Sequence, residues 1–379
     1  MKKLGLTIFF DSFALMLLGL IIVMSASSTY SFFKFDSVFY LFESHLFRVF
    51  FGIAAIFAFA FIPYEYYRPI TKHLMVLTTI LLIVTLLFAP NIKGAGRWLN
   101  IGFTTIQPAD IARLVLVIHL SLLLEDKANV LDSYRHGFLY LFIWIILISG
   151  LILLQPNISS GIMLIIISLT LIYAGGARLK HIFFSFLLSG VVIGLAAMIF
   201  PHSRSRIFSF VGTIINGGDL NFQVKQALYS LGSGGIFGVG IGNSMQSNLF
   251  LPEAYGDFIF AILGEEMGVI GSIIVLLAYM ILLIAGIMIA KKARDKFGQM
   301  LAFGITISIV LYAFVNVGVT TGVLPTTGLP LPFISYGGTS LIFLCISVGI
   351  LINIAFTNHL RQNGVVHIPD SKTVDGMNS

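Results

Sequence analysis

Cysteine and charged residues are scarce in this chain. Its 379 residues include one cysteine, Cys345, and charged residues make up only 10% of the total. A single cysteine excludes a disulfide within the chain and a thiolate metal cluster. The eight histidines are scattered, without the H-x-x-x-H spacing of a metal site. The sequence therefore predicts no metal centre built from protein side chains.

Apolar residues, by contrast, are in large excess. They make up 58% of the chain, and the mean hydropathy is +1.00. Soluble domains have about 45–50% apolar and about 25% charged residues, so no water-soluble fold of this length could bury so much apolar surface. The formal net charge is +6, but the basic residues lie in short loops between apolar runs, where membrane topology explains them. We therefore predict a membrane protein without a nucleic-acid partner.

The apolar runs are long enough to cross a bilayer, which takes about 20 residues each. The stretch after Met1-Lys2-Lys3 has no clear cleavage site, so we assign it as a span and not as a signal peptide. The predicted fold class is all-α, a polytopic membrane protein with about ten transmembrane helices and a long extracytoplasmic loop between spans 7 and 8. The predicted spans are 5–26, 47–63, 71–89, 108–125, 136–155, 158–175, 180–200, 257–290, 299–321 and 335–357.

The distribution of Lys and Arg predicts the orientation of these spans. If the N-terminus is cytoplasmic, the inner segments hold about twice as many Lys and Arg residues as the outer ones, which favours both termini inside. We predict one integral membrane domain, 1–358, with a large outer loop at 201–256. Residues 359–379 are predicted to be a disordered cytoplasmic tail. Because the long Gly-rich loops face outward, we expect the functional site on the outer side.

Three arginines in the outer loops are candidate anion ligands. Arg97 and Trp98, in the Gly94–Asp110 segment, suit the headgroup level, and Arg97 can bind a phosphate bidentately. The alternative is a re-entrant loop that Trp98 anchors. Arg204 and Arg206 oppose the inside-positive trend, which indicates either an anionic ligand or attraction to lipid headgroups.

Asp257 is the candidate catalytic group. It follows a Gly-rich segment, 231–246, that is neither a Walker loop nor a dinucleotide fingerprint. At membrane depth, desolvation would bring a carboxylate towards the working range of a general base. The alternative is that Asp257 only caps the long eighth helix, whose dipole favours an acid there.

Other polar residues lie inside or between the spans. Glu265 and Glu266 suit either a buried pair that locks helices together or a catalytic role, and Arg113 is their candidate ion partner. Asp110 lies in the first turn of the fourth span. The Gly322–Ser340 segment is rich in Pro and Gly and is predicted to line a cavity, where Ser335, Tyr336, Thr339 and Ser340 could supply hydrogen bonds. Asp11 is a lone carboxylate in the first span, and no role is assigned to it.

Several motifs resemble the shape, elongation, division and sporulation family, which includes FtsW, RodA and SpoVE. They are G-x-x-R-W…Q-P-x-[DE] at Gly94–Asp110, L-P-E-x-x-x-D-F-I-F-A at Leu251–Ala261, and P-F-I-S-Y-G-G-T-S at Pro332–Ser340. The resemblance covers nearly the whole chain and implies an inverting peptidoglycan glycosyltransferase with a lipid-diphosphate sugar donor. Such enzymes polymerise lipid II outside the bacterial cytoplasmic membrane. G-x-G-x-G-N-S at 238–244 is closer to FtsW than to RodA members, which favours septal synthesis over elongation.

The resemblance also implies roles for individual residues and partners. The essential aspartate of the family falls on Asp257 and its R-W arginine on Arg97. Expected partners are lipid II, a class B penicillin-binding protein and other divisome membrane proteins. Two motifs depart from the FtsW pattern: Tyr255-Gly256 replaces His-Thr, and Gln155-Pro-Asn157 replaces Q-P-D. The further candidates for substrate binding are Arg204, Arg206, Lys225, Gln107, Glu253, Ser335 and Tyr336.

Physical chemistry assigns hypothetical roles to these groups and leaves two rival functions open. Asp257 would accept the proton of a sugar hydroxyl, and the cations would neutralise the leaving diphosphate. A divalent cation, Mg²⁺ or Mn²⁺, could assist, although the sequence contains no dedicated ligand set. The rivals are a lipid II flippase, for which Glu265 and Glu266 would be better placed, and a non-catalytic scaffold that recruits the penicillin-binding protein.

Overall fold

The protein is a helical bundle with two further helices in the long segment 201–256. A computed structural model describes residues 1–90, 96–100, 102, 105–216, 220–248 and 250–362. Short 3-10 turns lie at Tyr64–Tyr66 and Ala128–Val130, and a π-helical turn lies at Tyr134–Phe138. Strand β1 (Leu99–Asn100) pairs antiparallel with β2 (Thr105–Ile106). The α-helices of the described residues are α1 Lys2–Phe35, α2 Tyr40–Phe61, α3 Tyr67–Phe88, α4 Pro108–Asp126, α5 Leu139–Leu154, α6 Ile158–Ala174, α7 Leu179–Ile199, α8 Pro201–Asn216, α9 Phe222–Ser233, α10 Ile259–Lys292, α11 Lys296–Thr320 and α12 Ser340–Gln362.

The predicted spans correspond to α1–α7 and α10–α12, so the polytopic all-α architecture is confirmed. Within the described residues, eight of these helices, together with adjoining turns, are long and apolar enough to cross a membrane. Helix α6 is apolar but shorter, at 17 residues. Helix α4 is not among the eight, and it carries charge at both ends, at Asp110 and Arg113 and at Glu125 and Asp126. Because α4 is buried on nearly all sides, it needs no lipid-facing apolar surface.

The centre of the bundle is formed by α4, α11 and α12, and α7 lies at its edge. In the most apolar 18-residue stretch of α11, 67% is buried inside the protein, whereas in that of α7 only 11% is buried. Helix α4 packs on α3, α6 and α11, while α1 packs on α2, α10 and α12. This arrangement brings together the N-terminal ends of α4, α10 and α12 and the C-terminal end of α11, and the segments that adjoin these ends meet there.

Helix α10 is interrupted at Gly268, which has φ of 67°. The Gly-rich segment lies beside the break: Val239 N donates to Glu265 O at 2.9 Å, and Val269 N donates to Gly235 O at 3.0 Å. A Cβ atom at Gly268 would come within 2.4 Å of Ile236 O, so only glycine fits both the backbone angle and the contact. The prediction of one unusually long helix is thus correct in extent, but the sequence did not reveal its break.

Two segments contain more helix than the sequence predicts: the loop at 201–256 and the beginning of the C-terminal tail. The loop at 201–256 contains α8 and α9, which the sequence analysis did not assign as helices. Helix α12 continues to Gln362, so residues 359–362 are helical and not part of a disordered tail. Residues 363–379 of that predicted tail, and Gly94 of the R-W motif, lie outside the described residues.

Candidate functional site

Asp257 lies at the N-terminal end of α10, two residues before its first turn. Phe258, not Asp257, occupies the N-cap position, so the capping alternative does not describe this geometry. The side chain of Asp257 is half-buried. Its main-chain carbonyl accepts a hydrogen bond from Asn316 Nδ2 of α11 at 2.7 Å. The same nitrogen donates to Leu329 O at 2.7 Å, so one amide ties the Asp257 segment to the loop that precedes α12.

A second set of hydrogen bonds clamps these two segments together. Ser335 Oγ donates to Gly256 O at 2.7 Å and accepts from Leu331 N at 2.7 Å. Tyr336 N donates to Tyr255 O at 2.9 Å. Since Ser335 is buried and both of its bonds are internal, it positions the main chain next to Asp257. A direct contact of Ser335 with substrate stays a prediction.

Arg97 and Arg206 are the two predicted cations that the structure brings to Asp257. Burial lowers the pKa of the Arg97 guanidinium, and the charge of Asp257 opposes that shift. Burial likewise lowers the pKa of Arg206, with Asp257 opposing the shift and Arg97 adding to it. The three charges therefore interact in a partly desolvated site, where electrostatic effects are stronger than in water.

Gly328 forms the surface between the carboxylate and one of these guanidinium groups. A Cβ atom there would lie 3.3 Å from Asp257 Oδ2 and 3.6 Å from Arg206 Nη1. Gly328 has φ of +74°, a backbone conformation that favours glycine. Arg206 Nη1 also donates to Thr326 O at 3.3 Å. A side chain at position 328 would therefore lie directly against both charged groups.

The segment with Arg97 is docked on the loop before α12. The Trp98 ring packs on Gly338, where a Cβ atom would lie 3.3 Å from the Trp98 Cζ3 atom. Thr339 Oγ1 accepts from Gln107 N at 3.4 Å and donates to Thr105 O at 3.4 Å. Gln107 thereby joins the site through its main chain. The structure combines the Trp98 anchor with an electrostatic interaction between Arg97 and Asp257, so the two alternatives do not exclude each other.

The remaining predicted substrate-binding charges are Arg204, Lys225 and Glu253. Arg204 is exposed and lines an outer groove of about 560 Å³ with Met198, Ser205 and Phe208. Lys225 is exposed on α9. Glu253 interacts electrostatically with Tyr30, Lys34 and Tyr255, near the outer end of α1. Their roles in substrate binding stay predictions, whereas Arg97 and Arg206 have a geometric reason to act with Asp257.

Tyr336 lies between α2 and the hydrogen bonds that join Tyr255 and Gly256 to the loop before α12. Its ring is 4.6 Å from the Arg48 guanidinium carbon, a cation–π contact, and 5.8 Å from the Tyr255 ring. The hydroxyl is within 3.4 Å of Ser44 Oγ. These contacts orient Tyr336 towards α2, and its predicted contact with substrate stays a prediction.

Glu265 and Glu266 hold the Gly-rich segment against α10. Glu265 Oε2 accepts from Ser230 Oγ at 2.8 Å and from Ser244 Oγ at 2.6 Å, and its Oε1 accepts from Met245 N at 3.0 Å. Glu266 accepts a hydrogen bond from Ser25 Oγ of α1. Both glutamates are almost fully buried. Of the two roles that the sequence left open, the structural one fits these contacts.

The predicted ion pair between Arg113 and these glutamates is wrong. Arg113 Nη2 lies 3.6 Å from Asp110 Oδ1, one turn away in α4. Its guanidinium also stacks on Tyr312 of α11, 4.2 Å from the ring centroid. Serine hydroxyls and a main-chain NH donate hydrogen bonds to the two glutamates instead. Arg113, paired with Asp110, forms a separate link between α4 and α11.

Sequence analysis missed two residues that shape the site. Asn316 is a polar residue within an apolar span, and that signal alone could have marked it as functional or structural. Gly328 could not be distinguished from the many other glycines of the chain, because its importance depends on a long-range contact. Among the described residues, no cluster of three His, Cys, Asp or Glu side chains could hold a metal ion.

Comparison with known proteins assigns the fold and the family. The sequence model of the FtsW, RodA and SpoVE family, described as "Cell cycle protein", matches residues 6–360. Stage V sporulation protein E of Bacillus subtilis is 36% identical over 345 residues, which cover 90% of this chain and 94% of that protein. A protein of Coxiella burnetii named "Probable peptidoglycan glycosyltransferase FtsW" is 33% identical over 348 residues, with coverage of 90% and 94%.

Two solved structures have a fold similar to that of this chain. A chain of a peptidoglycan synthase complex that coordinates polymerization and crosslinking aligns with a TM-score of 0.74 at 21% identity, over 93% of this chain and 97% of that one. The crystal structure of Thermus thermophilus rod shape determining protein RodA aligns with a TM-score of 0.69 at 22% identity, over 93% and 96%. At these identities the likeness establishes the fold alone.

Proposed function

The chain belongs to the FtsW, RodA and SpoVE family, and on that basis we propose that it is a peptidoglycan glycosyltransferase in which Asp257 is the general base. The single observation that supports the mechanism is that Arg97 and Arg206 both interact electrostatically with Asp257, and that Gly328 lies directly against Asp257 and Arg206. The proposed substrate is lipid II, a disaccharide linked to a lipid diphosphate.

The proposed reaction joins two lipid-linked sugars. The oxygen of the acceptor 4-hydroxyl attacks the anomeric carbon of the donor, with inversion. Asp257 accepts the proton of that hydroxyl during the attack. The bond from that carbon to the diphosphate breaks, and the electron pair leaves with the diphosphate. Arg97 and Arg206 stabilise the negative charge that develops there, because fixed cations in a partly dry site need no reorganisation.

The hydrogen bonds that hold the main chain of Gly256 and Asp257 support the assignment of Asp257 as the base. General-base catalysis requires the carboxylate to stay within hydrogen-bond reach of the hydroxyl. Asn316 and Ser335 fix the main chain of Gly256 and Asp257 from two directions. The carboxylate is therefore carried on a segment that is held in place by α11 and by the loop before α12.

The flippase alternative loses its main support from the sequence. It relied on Glu265 and Glu266 as acidic groups deep within the spans, but Ser25, Ser230 and Ser244 donate hydrogen bonds to them. The same contacts fix the Gly-rich segment, as expected of a structural pair. The scaffold alternative gives no reason for two arginines to lie beside a half-buried aspartate.

Partners and orientation extend this proposal. The fold likeness to a chain of a peptidoglycan synthase complex supports a penicillin-binding partner. We propose a class B enzyme and other divisome membrane proteins in that role, septal synthesis as the process, and both termini in the cytoplasm of a bacterial cell. We also propose that any Mg²⁺ or Mn²⁺ that assists arrives bound to the substrate diphosphate.

The experiment that tests the function uses the purified full-length protein with its penicillin-binding partner and labelled lipid II in liposomes. Glycan length on gels reports polymerisation, and accessibility of the label to an impermeant quencher reports flipping. The variant is Asp257→Ala, and the matched control is Asp132→Asn, an exposed acid paired with Arg178 at 3.2 Å.

Each outcome separates one function from the others. Glycan strands with the native protein and with Asp132→Asn, but none with folded Asp257→Ala, support the polymerase. Flipping without polymer would identify a transporter, and neither activity in the presence of the partner would identify a scaffold. Either of the last two results rejects the proposal.

A further inference from the structure

We infer that the groove between α1 and α10 around Asp11 is a docking site for a single membrane-spanning helix that carries a Lys or Arg side chain at the depth of Asp11. The groove has a volume of about 510 Å³. It lies away from Asp257, so the inference is independent of the proposed chemistry. Its lining consists of Lys3, Leu6, Thr7, Phe10 and Asp11 of α1 and Ile281 of α10.

The two helices place this groove at the same depth of the membrane. Asp11 lies nine residues after Lys2, about 13 Å along α1, and Ile281 lies ten residues before Lys291, about 15 Å along α10. Basic residues such as Lys2 and Lys291 mark the headgroup level. Because the hydrocarbon core is about 30 Å thick, Asp11 lies close to its middle.

A carboxylate at that depth needs a partner, and the described chain supplies none for one of its oxygens. Asp11 Oδ2 is buried and has no hydrogen-bond partner among the described residues. Tyr279 interacts electrostatically with Asp11, but its hydroxyl donates to Pro332 O. Lys3 lies eight residues from Asp11, about 12 Å along the helix, which is too far for a direct bond. Ionisable residues inside spans usually pair within the protein or mark a functional contact.

The surroundings fit a helix better than a lipid. Both rims of the groove are apolar and exposed: Phe10 is 63% exposed on α1, and Ile281 is 47% exposed on α10. A lipid tail would fill that apolar surface but has no hydrogen-bond donor, and a headgroup amine would have to descend about 13 Å from its own level. A helix packed along the rims can insert one long basic side chain, whose stem covers apolar surface and whose head reaches the part of Asp11 that lines the groove, next to the buried Oδ2 atom.

The test uses designed single-span peptides in lipid vesicles with the purified full-length protein. One peptide has a Leu-rich span with one Lys at the depth of Asp11 and a photoactivatable group beside it. The second has Leu in place of that Lys, and the third carries the Lys two turns nearer the headgroups. Crosslink yield is measured against the peptide-to-lipid ratio, and the crosslinked residues are mapped.

We expect the Lys peptide to reach half-saturation at a ratio about five- to thirtyfold lower than the Leu peptide, the range given by polar contacts between helices in membranes. The crosslinks should map to α1 and α10. In Asp11→Leu the difference between the peptides should disappear, while Asp11→Asn should retain a small part of it.

Three results would overturn the inference: equal half-saturation for the Lys and Leu peptides, a preference that persists in Asp11→Leu, or crosslinks that join two copies of the protein instead of protein and peptide. Polymerisation of lipid II by Asp11→Leu shows that this variant is folded. Since Asp11 is distant in sequence and depth from the Asp257 site, failure of the docking proposal leaves the proposed glycosyltransferase activity intact.

Discussion

Asn316 donates from Nδ2 to the carbonyl oxygen of Asp257 at 2.7 Å, although 59 residues separate the two along the chain. The same atom donates to Leu329 O. Helix α11 thereby positions the candidate base and the loop opposite it through one side chain. A small shift of a positioned group can reduce the rate of catalysis strongly.

We predict that Asn316→Ala lowers the turnover of lipid II polymerisation about tenfold or more and the free energy of unfolding by about 1–3 kcal/mol, because buried carbonyls lose their donor. Steady-state glycan synthesis and chemical denaturation would measure both. Asn353→Ala is the matched control, since Asn353 is equally buried and bonds Ala60 O and Tyr64 N instead. It should lose similar stability but retain turnover per folded molecule. Equal losses of turnover would argue against a positioning role.

Gly328→Ala should reduce polymerisation because its new methyl group would occupy the space between Asp257 and Arg206. Gly322→Ala is the control: Gly322 has the same φ of +74°, but a Cβ atom there would contact Val224 at 3.3 Å. Both variants should lose about 1–2 kcal/mol of stability from the left-handed backbone. Only Gly328→Ala should also lower turnover. A comparable fall in Gly322→Ala would show that the effect is backbone strain alone.

Arg206→Gln should lower turnover about tenfold or more, since it removes a half-buried cation beside the reacting groups. Arg204→Gln, two residues away, removes an exposed charge that salt already screens, so its effect should stay below about threefold. The measurement is turnover at saturating lipid II over a range of salt concentrations. Indistinguishable variants would mean that the two arginines act only through the general field of the loop.

The break in α10 should be intolerant of any side chain. Gly268→Ala would place Cβ within 2.4 Å of Ile236 O, so we expect a loss of at least about 2 kcal/mol in unfolding free energy. In Gly150→Ala, a helical glycine with no neighbouring atom within 4 Å of the added Cβ, stability should stay constant or rise by up to about 1 kcal/mol. Wild-type stability in Gly268→Ala would contradict the observed packing of the Gly-rich segment.

Hydropathy and motifs predicted much of this architecture, and their limits have physical causes. A span is recognised from the composition of one stretch of chain, so helices such as α1 and α11 were assigned from their own residues. The partners of Glu265 are serines 21 and 35 residues away, a pairing that packing decides. For the same reason the sequence suggested Arg113 as the ion partner of the glutamates, whereas α4 itself supplies Asp110.

The candidate site was predictable in its charges but not in its construction. Arg206 is recognisable because it opposes the inside-positive trend, and Arg97 and Asp257 because they lie in motifs that resemble those of the family. Their convergence depends on Asn316, Ser335 and Gly328, which make contacts with main-chain atoms or with empty space. Such contacts leave no periodic pattern in a single sequence.

The most direct test of the central claim is single-turnover polymerisation by Asp257→Asn, with lipid II binding measured in the same preparation. Asparagine retains the size and hydrogen-bonding capacity of the side chain but is not a base. We predict a rate at least about 100-fold lower, the usual contribution of general-base catalysis, with lipid II affinity within about threefold of the native protein. A native rate in Asp257→Asn would contradict the assignment of Asp257 as the proton acceptor.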